Sequence, residues 1–210
     1  MSQGESRKNF VKLHEVGHDV LPWQKATFEH IDDDSTLDPE TVEEFEAEAN
    51  YFASVTLFQH DRFEKEVSKL ELGIKAPMHL SQLFGASVHA TLRKYVECSK
   101  NRCALLVLEN VSANGTTPFC YKKDFFASVK FIDTFGEIDL PEKFGYKWNF
   151  CKDYYFRKKY HEKGEITLST ENGHADFCYH FFSNGFNGFV FLIPYGESKS
   201  VKTKILVKTS

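Results

Sequence analysis

His14-Glu15-Val16-Gly17-His18 constrains the chain more than any other stretch, because it reads HExxH inside a run with helical spacing. Four residues is just over one helical turn, so both imidazoles leave the same face. Two His nitrogens can then share one Zn²⁺ at roughly 2.0–2.1 Å, with Glu15 beside the ion as general base for its water. Phe10, Val11, Leu13, Val20 and Leu21 mark the apolar side of that helix, and Pro22 ends it.

An HExxH zinc site needs a third protein ligand and keeps its fourth position open for water. Asp38-Pro39-Glu40 announces another helix, with a cap, a proline at the first helical position and an acidic first turn. Val42, Phe45, Ala49, Phe52, Ala53 and Thr56 trace its inward stripe, and Glu43, Glu44, Glu46 and Glu48 are its carboxylates. Glu46 and Asn50 lie four apart on one face. That spacing predicts Glu46 as the third metal ligand and Asn50 as acceptor for the free N–H of a ligand His. Glu48 points elsewhere on the wheel, and with Glu43 and Glu44 it reads as a solvated acidic face. A further donor for the oxyanion is expected from His30, Tyr51 or His60, among which the sequence does not choose.

His14 to His18, followed by Glu46-Ala47-Glu48-Ala49-Asn50-Tyr51-Phe52-Ala53, resembles the ImmA/IrrE family of metallo-endopeptidases. Leu80-Ser81-Gln82-Leu83-Phe84-Gly85-Ala86-Ser87, with Leu92-Arg93, is similar to that family's next helical element, so the match covers residues 7 to about 97. The resemblance implies zinc on His14, His18 and Glu46, with Glu15 as catalytic base. It also implies a specific protein substrate, a transcriptional repressor of a mobile element or stress response. Members carry strands ahead of the HExxH helix. Only thirteen residues precede His14 here, so the expected catalytic half lacks them.

The organisation expected is α+β. Residues 1–100 form a helical zincin-like domain, and 101–210 form a mainly antiparallel β domain of unassigned role. A helix near Asp61, with Phe63, Val67 and Leu70 inward, and two short helices meeting at Gly85 complete the first half. After residue 103 the period changes. Cys103–Val111, Gly164–Thr170, Ala175–Ser183, Gly188–Pro194 and Lys202–Lys208 are strand-like, punctuated by Asn114-Gly115, Asn172-Gly173, Asn184-Gly185 and Tyr195-Gly196.

A net charge of −4 gives no global basic field for nucleic acid, and no apolar run approaches a membrane span. Five cysteines without a CxxC pair, and a polar start with no signal-peptide core, fit reduced thiols in a cytoplasmic protein. Leu80–Tyr95 has a helix-turn-helix outline, yet its acidic flanks favour simple helix packing. His174, Cys178 and His180 share a strand face, where core or surface filling is the expected role. The basic-aromatic run Lys152–Lys163 reads as a solvated strand or loop. The functional expectation is a zinc-dependent endopeptidase. Its competitor is a non-catalytic regulator of the same fold that binds a protein partner or DNA.

Overall fold

The computed structural model describes residues 3–30, 37–156 and 160–197, and the side chains of 6–27, 37–156 and 164–197. Helices occupy the N-terminal part and an antiparallel sheet dominates the rest, giving the α+β architecture that the change of period predicts. The chain divides into two compact units, Met1–Lys69 with Met78–Thr91, and Leu70–Pro77 with Leu92–Ser210.

In the first unit run α1 (Gln3–Val20), α2 (Pro22–His30), α3 (Pro39–Phe58), α4 (Asp61–Val67) and portions of α5 (Lys75–Phe84) and α6 (Val88–Glu97). Pro22 lacks the N–H that would extend α1, so α1 stops and the chain restarts with proline leading α2. The α3 start is built as its residues predict. The Asp38 side chain accepts from the Thr41 N–H at 3.0 Å and the Thr41 hydroxyl at 2.6 Å. Phe45, Ala49, Ala53, Leu57 and Phe58 are the buried residues of α3. Steps of four turn such a stripe by about 40° each time. It therefore drifts onto Leu57 and leaves Val42 and Thr56, expected inward, on the exposed side.

Gly17 brings α1 against α3. A Cβ there would stand 3.2 Å from Ala49 Cα and 3.3 Å from the Phe52 ring. The Phe63 ring packs 4.9 Å from Phe58 and 5.3 Å from Phe84, closing the α3–α4–α5 corner.

In the second unit, β1 (Ala104–Asn114), β2 (Thr117–Ala127), β3 (Lys143–Phe144), β4 (Tyr160–Thr170), β5 (Gly173–Ser183) and β6 (Gly188–Pro194) form one antiparallel sheet. Its strand order is β3-β2-β1-β6-β5-β4. The first five residues of β1 and of β6 are all buried, as expected for central strands covered on both faces. One face packs on α7 (Val129–Phe135) and α8 (Asn149–Tyr155) through Phe131, Phe150, Tyr154, Phe177, Tyr179 and Phe181. On the other, Tyr95 of α6 lies 5.9 Å from Phe191.

One reading of this half needs correction, and one strand was missed. Lys152–Lys163 begins inside α8, not in a loop: Phe150, Cys151 and Tyr154 are buried, and the Tyr154 hydroxyl donates to the Phe186 carbonyl at 2.5 Å. The anchors at 150, 151 and 154 keep helical spacing, and the intervening lysine obscures it. Thr117–Ala127 also forms a full strand that its sequence does not advertise. Residues 157–159 and the strand expected at Lys202–Lys208 lie outside the described residues. No described helix is long and apolar enough to cross a membrane.

Candidate metal centre

The crossing of α1 and α3 determines what His14 and His18 meet. Glu46 lies one residue past the buried Phe45, so its carboxylate stands over the exposed side of the crossing, opposite the two rings. His14 Nε2 is 3.1 Å from His18 Nε2 and 3.3 Å from Glu46 Oε2. His18 Nε2 is 3.5 Å from Glu46 Oε1. Among the described residues, this is the one group of three His, Cys, Asp or Glu side chains able to converge on an ion.

The donor set fits a metal. Tetrahedral ligands at about 2.05 Å from an ion stand about 3.3 Å apart, which is the scale of the separations seen here. The rings are also oriented for it. His14 Nδ1 faces Asn50 Oδ1 at 3.2 Å, and His18 Nδ1 faces Gln24 Oε1 at 2.7 Å. With both Nδ1 atoms protonated toward amide oxygens, both Nε2 lone pairs turn inward beside a carboxylate. Three lone pairs meeting at one point repel unless a cation sits among them. The two imidazoles are largely covered, at 16% and 18% side-chain exposure, while Glu46 at 54% leaves an open side for water and substrate.

Glu15 is exposed on α1, one residue after His14. Of the three candidate oxyanion donors, Tyr51 is 72% exposed beside Asn50. His60 follows the end of α3, fourteen residues past Glu46, or about 21 Å of helical rise. Its ring pairs with Asp61 at 2.7 Å, and that hydrogen bond holds the Asp61 carboxyl below its ordinary range. The His60 imidazole is thus engaged far from the centre. The side chain of His30 lies outside the described residues.

Gln24 and Glu48 enter the site although sequence reasoning passed them over. Glu48, read as part of a solvated face, accepts from Gln24 Nε2 at 2.7 Å and from Trp23 Nε1 at 2.6 Å. Only a restart of helix immediately after Pro22 could have flagged Gln24. The strand trio behaves as filler: the His180 ring accepts from the Ile74 N–H at 3.3 Å, and His174 lies 3.3 Å from the Ser169 hydroxyl. Arg93, on the second helix of the helix-turn-helix outline, pairs with Glu97 at 2.7 Å and lies over the Phe126 ring at 4.9 Å.

An HExxH helix crossed by a carboxylate-bearing helix brings together His14, His18 and Glu46 as a group that could hold a metal ion. Residues 2–95 match the model of the family Peptidase_M78, described as the IrrE N-terminal-like domain, so this segment is similar to that family. No curated protein matches it significantly. Among solved structures, a Mycobacterium tuberculosis transcriptional regulator aligns at TM-score 0.46 and 12% identity, over 89% of this chain and 55% of that one. The chain therefore spans about half the length of that regulator.

Proposed function

We propose that this chain is a zinc-dependent endopeptidase that cuts a specific protein, with residues 1–100 as its catalytic domain. The observation that carries the reading is the approach of His14, His18 and Glu46 at tetrahedral spacing, with both histidines turned to offer Nε2. His14 Nε2, His18 Nε2 and a Glu46 oxygen would hold the ion. Zinc bound there supplies a Lewis acid and a water acidified toward neutral pH. Glu15 takes the proton of the attacking water on its carboxylate and passes it to the departing amide nitrogen, so the peptide C–N bond breaks to an acid and an amine. Asn50 and Gln24 keep both rings in the tautomer that this requires. The ImmA/IrrE resemblance supports a transcriptional repressor as the substrate, and five cysteines without a disulfide support a cytoplasmic location.

The test is metal content and cleavage in four proteins. Wild type should carry about one zinc per chain, and His14→Ala and Glu46→Ala should lose it. Glu15→Gln should keep the metal and abolish cleavage of a co-expressed repressor. A well-folded wild type that refuses added zinc would remove the enzyme reading. Zinc retention with a phenotype indifferent to Glu15→Gln would favour a non-catalytic regulator.

A further inference from the structure

Behind His18 stands a better-built support than the one behind His14. Gln24 is fully buried and its side-chain amide is fully engaged. The amide nitrogen donates to the Phe45 carbonyl at 3.1 Å and to Glu48 Oε2 at 2.7 Å, which leaves its oxygen for His18 Nδ1 at 2.7 Å. These two acceptors settle which way the amide faces, and hence which His18 nitrogen holds the proton. The same Glu48 oxygen takes the Trp23 indole N–H at 2.6 Å, so two donors from α2 hold a carboxylate carried by α3. The arrangement on His14 is looser: Asn50 is exposed, and its oxygen lies 3.2 Å from the ring.

A carboxylate drawing on an amide N–H polarises the amide, and its carbonyl becomes a stronger acceptor. That pulls on the His18 Nδ1 proton and makes Nε2 a richer ligand, as a direct carboxylate–histidine contact does at other metal sites. We infer that Glu48 and Gln24 form a positioning pair that sets metal affinity through His18, and that the pair outweighs Asn50. This rests on the metal-site reading above. It adds a chain from Trp23, half exposed on α2, through a carboxylate and a buried amide to a ligand nitrogen.

The experiment uses the full chain. Zinc affinity is measured by competition with a chromophoric chelator, the visible spectrum of bound Co²⁺ reports ligand geometry, and thermal unfolding of the metal-free protein reports stability. Gln24→Leu should weaken zinc about 10- to 100-fold and alter the Co²⁺ spectrum. Asn50→Ala should cost less, and Glu48→Gln should fall between them. Combining Gln24→Glu with Glu48→Gln places a carboxylate directly on the His18 N–H and should restore part of the affinity lost in Gln24→Leu, the donation to the Phe45 carbonyl being forfeited. A merely structural role would not be rescued this way. The inference is overturned if Gln24→Leu binds zinc like wild type, if Asn50→Ala costs as much, or if Glu48→Gln is silent. The last variant decides the matter should Gln24→Leu fail to fold. A wild type that takes up no zinc overturns this inference and the enzyme reading together. A zinc-binding wild type indifferent to these substitutions overturns only the pair.

Discussion

Gly17 sits between the two histidines, where an intrahelical glycine costs about 1 kcal/mol relative to alanine. Its return is proximity, since α3 passes so close that the Ala49 backbone would stand 3.2 Å from any added Cβ. Gly17→Val should destabilise the metal-free protein by about 1–3 kcal/mol through overpacking. It should also weaken zinc binding, because the same helix separation sets the reach of Glu46 to both rings. Gly17→Ala should fall between, with helix propensity gained and contact strained. Thermal unfolding without metal and a zinc titration read the two effects separately. A valine variant that matches wild type in both would mean that the crossing yields at no cost.

At the level of the element, the start of α3 depends on an ionised cap. Asp38 is held below its ordinary carboxylate range, first by the Thr41 hydroxyl and then by the Thr41 N–H. Because its folded value is depressed, the stability it gives is present above about pH 4, the unfolded value, and is lost as pH falls through the folded value. Asp38→Asn keeps a capping oxygen without a titrating group. Between about pH 7 and about pH 3, the wild type should therefore lose more thermal stability than Asp38→Asn. Equal losses would take the cap out of the acid response. This helix was also the most legible element in the sequence, because its cap, its proline and its stripe all signal locally. One helical turn pairs His14 with His18 and one i,i+4 face pairs Glu46 with Asn50, but the crossing that brings the two faces together is in neither periodicity. Gln24 was not legible, because its place behind His18 depends on how the chain turns at Pro22, which no periodicity records. β2 was hidden by Pro118, by its lysines and by a register shift near Leu108 that breaks the alternation. α8 was hidden because three buried anchors sit in a lysine- and tyrosine-rich stretch.

Across the whole molecule, the candidate metal donors all lie before residue 51 and the thiols all lie after residue 97, so the two chemistries report on different units. Cys103, Cys120 and Cys151 are buried, while Cys98 and Cys178 are partly exposed. Burial pushes the Cys103 thiol up to about 11, which leaves almost none of the reactive thiolate at neutral pH. A thiol reagent should therefore modify two cysteines quickly and three only as fast as the second unit opens. Its tyrosines set an alkaline limit on that unit. Burial pushes Tyr154 up to about 12, and raises Tyr95 and Tyr179 as well. Folded values above the ordinary value of about 10 give stability that is complete below that pH and drains as pH climbs through them. Tyr51 and Tyr146, by contrast, are exposed. The buried ones should ionise in one steep step that coincides with loss of the near-ultraviolet circular dichroism. A gradual titration of Tyr95, Tyr154 and Tyr179 with that signal intact would show that water reaches these rings without unfolding, and the same sample should then lose the two-fast, three-slow division of its cysteines.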